Sequence, residues 1–249
     1  MLNLIKKIII KIIHSLGFDI VRIPNDYNNP FGGLTRFPIR TVIDIGANRG
    51  QFARKALKQF PKAHIYCFEP LLEPFEELQK LAGVERESKI TVFNLALGDK
   101  EGENKMFLCL GHDDSSSLLK STKTSEILYP FTKKQTQIPV RLATLDKVMG
   151  NLPELLTDIL IKVDVEGYED RVIYGGRKTF QKARACILEI CLDKLYEDQA
   201  TFSKISSLMD TLGFEYAGNL DQVYDKDGKI IYIDAVFVKS DVEKPEKQK

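Results

Sequence analysis

The order of apolar and polar residues predicts a doubly wound α/β fold with a mainly parallel sheet, preceded by an amphipathic helix. Three observations carry this. From residue 40 onward, short β-rich runs alternate with helical patterns, the signature of βαβ units. The first strand pattern runs through a Gly-containing turn into a helix, TVIDIGANRGQF. Near the end, Asp227-Gly228 separates two strand patterns, which predicts an antiparallel hairpin closing the sheet.

The opening MLNLIKKIIIKIIHSLGFDIVRI places Ile5, Ile8, Ile9, Ile12, Ile13 and Leu16 at helical spacing and ends its helical pattern at Gly17. Lys6, Lys7 and Lys11 make it too charged to span a bilayer, and no cleavage site follows it. Two destinations stay open for the isoleucine face of residues 1–16. It packs on protein, or it lies on an anionic bilayer surface as a peripheral contact. Residues 1–39 are read as this helix and a linker, and 40–240 as one domain.

Within the domain, the predicted strands are 41–45, 64–68, 90–97, 158–165 and 185–190, and the crossover helices are 51–60, 71–81, 168–180 and 196–212. Residues 214–219 and 229–239 supply the hairpin. The rhythm breaks after Leu97, where LGDKEGENKMFLCL reads as a turn and a strand. Residues 111–135, rich in Ser, Thr and Lys, read as a mobile lid-like loop. Residues 241–249 are expected to be a disordered tail.

Composition excludes several classes. The 249 residues are 43% hydrophobic and 29% charged, with 16 Gly and 10 Pro, which is globular. A formal net charge of +1 gives no field to gather nucleic acid, so none is expected as a partner. Cys67, Cys109, Cys186 and Cys191 sit in apolar runs without metal spacing and read as reduced thiols of a cytoplasmic protein. Neither G-x-S-x-G nor H-E-x-x-H occurs, so hydrolase and zincin readings lack support.

Chemistry concentrates at three places. Gly46 and Gly50 stand in G-x-x-x-G spacing with Asp44 just before them; an acid there repels a pyrophosphate and suits an ammonium group. Glu69 ends the second strand pattern, where an acid accepts from ribose hydroxyls. Together these describe a nucleoside bearing a positive amino acid moiety, the shape of S-adenosylmethionine. The third place is LIKVDVEGYED, with Asp164, Glu166, Glu169 and Asp170 at a strand end and Glu189 on the same rim. Such a cluster is costly unless solvated, protonated or paired with a cation, for which Lys162 and a divalent metal are the alternatives. Glu166 and Glu169 also suit the first turn of the next helix. His112, in the long loop, is the histidine best placed to meet a substrate, while His14 and His64 read as structural.

DIGANRGQF, CFEP, NLALGDKEG, ATLDKV, IKVDVEGYE and ILEI, in this order over residues 40–195, resemble the FkbM family of S-adenosylmethionine-dependent methyltransferases. The resemblance implies a class I, Rossmann-like fold with a seven-stranded sheet whose final strand is antiparallel. It further implies that Asp44, Gly46, Asn48 and Gly50 form the methionine side of the donor pocket, that Glu69 binds the ribose, and that Asn94, Leu95 and Ala96 lie near the adenine. Asp164, Glu166 and Glu169 match the family's acidic run beside the reacting methyl group. Tyr168 stands where relatives often have alanine. The opening helix is similar to leader helices of relatives from glycan gene clusters. The activity implied is O-methylation of a saccharide or glycan precursor, or of another small molecule, with Asp164 as the first candidate base and Glu166 and His112 behind it. Two other classes stay open. One is a non-catalytic adaptor on the same fold; the other is a nicotinamide-dependent oxidoreductase, which calls for a G-x-G-x-x-G that is absent.

Overall fold

The computed structural model describes residues 2–17, 29–84, 89–152 and 157–240, which form two units, residues 1–33 and 34–249. The expected disordered tail, 241–249, lies outside the described residues. The first unit holds helix α1 (Leu2–Ser15), which Gly17 closes in the left-handed region at φ 82°. Ile9, Ile10, Ile12 and Leu16 are exposed. Among the described residues, no helix is long and apolar enough to cross a membrane.

The second unit runs β1 (Thr41–Ile45), α2 (Gln51–Gln59), β2 (His64–Phe68), α3 (Leu72–Val84), β3 (Ile90–Phe93), β4 (Ala96–Leu97) and β5 (Gly102–Cys109). It continues through α4 (Lys123–Leu128), β6 (Gln135–Ala143), α5 (Leu145–Gly150), β7 (Ile159–Val163), α6 (Glu169–Gly175), α7 (Arg177–Lys182), β8 (Ala183–Cys191), α8 (Phe202–Thr211), β9 (Phe214–Tyr224) and β10 (Ile230–Lys239). The main sheet has seven strands in the order β3-β2-β1-β7-β8-β10-β9. Its first five strands pair in parallel, and β10 is antiparallel to both β8 and β9. All five residues of β1 are buried, as a central parallel strand covered on both faces requires. Ile43, Ile161, Phe180, Leu188 and Phe237 meet in the core with at most 1% exposure, each contributing about 1.5–3 kcal/mol by leaving water.

Several expected elements divide differently. The 90–97 run splits, because after β3 the chain leaves the main sheet and β4 pairs with β6 in a small sheet of order β4-β6-β5. Strand β6 is not among the strands predicted above. It is largely half-exposed and carries Pro139, and its partner β5, aligned from Gly102↔Leu142 to Cys109↔Gln135, defines it. The 168–180 helix breaks at Gly176 into α6 and α7. The 196–212 helix starts only at Phe202, where Thr201 caps it by accepting from the Lys204 amide.

Residues 111–135 are folded where a loop was expected. They hold α4, capped by Thr122, and two short 3-10 turns. Ser116, Ser117, Ser125 and Thr132 are buried. A backbone pair joins Phe107 to Ser117, and another bridges Ser121 to Tyr196. The segment is a wall stitched to β5 on one side and to the loop after β8 on the other.

The parallel register gathers the polar ends. Asp44 on β1 lies opposite Lys162 on β7, and Glu189 on β8 lies opposite Asp234 on β10. The four cysteines are buried and unpaired.

Candidate active site

The turn after β1 is shaped by what packs around it. Gly46 has φ 78°, and a Cβ there would stand 1.7 Å from the Asp164 carbonyl oxygen, so glycine is what lets this turn approach the end of β7. Gly50 has φ 80°, and a Cβ would press on Leu78 and Leu81 of α3 at 2.9 Å. Asn48, also left-handed at φ 44°, donates its amide to Glu69 Oε2 at 2.8 Å. Glu69 Oε1 accepts from the Leu71 amide at 2.8 Å. One carboxylate thus holds both turns, and each oxygen keeps a further lone pair. Burial pushes the Glu69 carboxyl up to about 7 against the pull of these two amides.

Beside this turn lies a cleft of about 330 Å³, lined by Gly46, Asn48, Phe52, Glu69, Leu95 and Ala96 among others, with Met106 and Leu118 also on its wall. Asp44 does not line it. Its carboxylate is wholly buried and neither oxygen makes a hydrogen bond. Burial raises Asp44 to about 6, Lys162 opposes this, and the Ala53 amide pulls weakly the same way as Lys162 without normal hydrogen-bond geometry.

At the rim of the cleft, Lys162 Nζ stands 2.7 Å from Asp164 Oδ2. Burial works against the charge on Lys162, but Asp164 and Asp44 outweigh it and hold the lysine above its ordinary value. Glu166 is left-handed at φ 57°, a strained position for a residue with a side chain, and two hydrogen bonds define it. Its backbone carbonyl accepts from Ser117 Oγ at 2.6 Å, and its Oε2 accepts from the Tyr196 hydroxyl at 2.7 Å. Burial, with Asp164 and Glu169 adding repulsion, raises its carboxyl well above the usual range. Acid oxygens of Asp164, Glu166 and Glu189 all lie within 4.8 Å of one another, a spacing a metal ion can bridge. Lys162 already answers part of that negative charge.

A second hollow, about 410 Å³, opens beyond this rim. Asp114, Asp164 and Glu166 line both cavities. Tyr129, Phe131 and Tyr232 form aromatic walls of the second, and His112 lies against Phe131 with ring centroids 3.9 Å apart at 19°.

The parallel strand order with an antiparallel end is the fold that the motifs implied, and in it a glycine turn faces an acid on the next strand and an acidic rim stands between two cavities. The model of the methyltransferase FkbM domain matches residues 44–216, more than half of the chain. The chain belongs to the FkbM methyltransferase family. It is 29% identical over 181 residues to the 2-O-methyltransferase NoeI of Sinorhizobium fredii, covering 71% of this chain and 73% of that protein. It is 22% identical over 185 residues to Methyltransferase 1 of Beauveria bassiana, covering 71% and 72%. Among solved structures, an FkbM methyltransferase from Methylobacillus flagellatus aligns with a TM-score of 0.49 at 12% identity. That alignment covers 81% of this chain, which spans 44% of the longer one.

In this FkbM chain the cofactor-side expectations divide. Gly46, Asn48, Glu69, Leu95 and Ala96 line the first cleft, whereas Asp44, Gly50 and Asn94 stand behind its walls. Asn94 spends its side-chain amide on the carbonyls of Glu69 and Pro70, at 3.0 and 2.9 Å, bracing the turn. In the acidic run, Glu169 turns back to accept from the amides of Val165 and Gly167. Asp170 is buried in ion pairs with Arg171 and Lys204, so both serve the fold. His112 lines only the second hollow. The hydroxyls of Ser116 and Ser117 are engaged by the Cys109 amide, the Glu166 carbonyl and the Leu119 amide.

Two features of the site escaped the sequence reading. Tyr196 lies in a turn after β8, with no motif around it to mark it. Arg49, inside the glycine turn, reaches Glu73, Glu77 and Asp113 at once. Its partners are 24, 28 and 64 residues away in the chain, a distance no local pattern reports.

Proposed function

We propose that this FkbM methyltransferase transfers a methyl group from S-adenosylmethionine to a hydroxyl oxygen of a saccharide or glycan precursor. The observation that carries the reading is the junction of the two cavities at Asp164 and Glu166. The first cleft suits the donor. Glu69 has lone pairs left for two ribose hydroxyls, and Phe52, Leu95 and Leu97 offer apolar surface to a base. The second hollow suits a polyol, with carboxylates to accept from hydroxyls and rings to cover the apolar face of a sugar. A relative named as a 2-O-methyltransferase supports oxygen as the nucleophile.

When bound, the donor supplies an electrophilic sulfonium methyl group. The chain's own work is to align the acceptor, exclude water and take up the acceptor's proton. The structure favours Glu166 over Asp164 for the last task. Asp164 shares an oxygen with Lys162, whereas Glu166 is made a stronger base by burial and by its acidic neighbours, and Tyr196 fixes its direction. Asp164 then orients the acceptor hydroxyl.

The test is incubation of the purified chain with isotopically labelled S-adenosylmethionine and the host's surface-glycan precursors. The reading expects label on a saccharide oxygen, lost in Glu166→Gln. Label confined to nitrogen or carbon of the products contradicts it.

A further inference from the structure

Taking the second hollow as the acceptor site, as the proposed function does, we infer that the acceptor carries a protonated amine beside its hydroxyls, and that Glu189 is the residue that selects it. An amino sugar with a free amine is the class that fits.

The charges of the hollow are one-sided. Asp114, Asp164, Glu166 and Glu189 line it, and among the described residues no lysine or arginine does. Lys162 faces the other cleft and is occupied by Asp164. Asp164 and Glu166 have partners in Lys162 and Tyr196. Glu189 has neither: no hydrogen bond or ion pair engages its carboxylate among the described residues, and burial with the repulsion of Asp164, Glu166 and Asp234 outweighs the more distant pull of Lys162 on its charge. A part-buried carboxylate so placed gains most from a donor that brings positive charge.

The rest of the lining selects what kind of cation. Tyr129, Phe131 and Tyr232 present rings to the same space. Aromatic faces attract an alkylammonium and cover the C–H face of a sugar, and they do nothing for a metal ion. A divalent metal bridging Asp164, Glu166 and Glu189 would stand beside the part-buried Lys162 ammonium, 2.7 Å from one of its ligands, a repulsive position where water screens little. An anionic acceptor such as a sugar phosphate meets four carboxylates and, among the described residues, no lysine or arginine to offset them, with His112 on the wall stacked on Phe131. The hollow therefore favours a monovalent cation with hydroxyls attached.

The test titrates the full chain, saturated with S-adenosylhomocysteine, with methyl glucosaminide and with its N-acetylated twin at neutral pH. The amine form is expected to bind about ten- to a hundredfold more tightly, the value of a charge-assisted hydrogen bond. Glu189→Gln should erase that preference and keep the affinity for S-adenosylhomocysteine, which also reports that the variant is folded. Equal binding of the twins, tighter binding of the neutral one, no binding of either, or a preference that requires magnesium or manganese each overturns the inference. If S-adenosylhomocysteine itself fails to bind, the methyl-transfer reading falls and takes this one with it. If it binds without amine preference, only this one falls.

Discussion

The Tyr196 hydroxyl donates to Glu166 Oε2 at 2.7 Å, tying the loop after β8 to the strained turn after β7. A hydrogen bond to the ionised form opposes the burial that raises Glu166. Tyr196→Phe removes it while keeping the ring. The carboxyl then rises further, so the acidic limb of the pH–rate profile should move to higher pH, and turnover at neutral pH should fall by about tenfold. Donor affinity should stay unchanged. A profile that does not move would place Tyr196 outside the proton path.

Glu69 braces two turns and, in the proposed function, also holds the donor's ribose, and its variants should show both. Glu69→Ala leaves the amides of Asn48 and Leu71 without acceptors, which costs about 1–3 kcal/mol for each one that stays buried. A lower melting temperature is therefore expected together with weaker donor binding, and the variant does not separate fold from site. Glu69→Gln keeps one acceptor and should weaken the donor by about ten- to a hundredfold with a smaller stability loss. Because ribose hydroxyls favour the ionised carboxylate, donor affinity of the natural chain should rise as pH rises through about 7. Calorimetry with both variants reads all three outcomes.

The pH dependence of stability follows from three buried acids. Folding raises Asp44 from 3.8 to about 6, and Glu69 and Glu169 from 4.5 to about 7. The folded chain therefore binds more protons than the unfolded one between about 4 and 7, and stability should fall as pH rises through that window, with Glu166, Glu189 and Asp234, also raised by burial, acting in the same direction. Each group contributes up to about 1.4 kcal/mol per pH unit within its own interval. His64, pushed down by burial, works in the opposite direction below its ordinary value. Scanning calorimetry of the ligand-free chain should show a falling melting temperature across the window; a rising one contradicts the assignment of these groups.

Arg49 joins the glycine turn and α3 to Asp113, where the 111–135 wall begins. Ion pairs of this exposure contribute little to global stability, but this one lies where the wall meets the donor cleft. Arg49→Met should leave the melting temperature within about 2 °C, since a few tenths of a kcal/mol shift it little. It should also speed hydrogen exchange at residues 113–116 and weaken donor binding. Unchanged exchange there would show that the wall holds without the latch.

Much of this was legible in the sequence, and the missing parts share a cause. Strand β1 and its turn were readable because apolar run, glycines and helix pattern are contiguous. Glu69 was readable because it ends a strand in a fold whose strand ends form the site. Asp44 was placed in the same site on its position in the chain, but the register puts it opposite Lys162, inside the wall and away from the cleft. Asn94 likewise is not among the residues lining the cleft, and its side-chain amide goes to backbone carbonyls 24 and 25 residues away. The 111–135 wall has no periodicity because long-range pairing to β5 and to the loop at Tyr196 holds it.

The most direct test of the account is isothermal titration of the intact chain with S-adenosylmethionine and, separately, with NAD. The account predicts one donor molecule bound per chain, binding weakened by Glu69→Gln, and no heat with NAD. Binding of NAD alone, or of neither molecule, would contradict the assignment of the first cleft as the methyl-donor site.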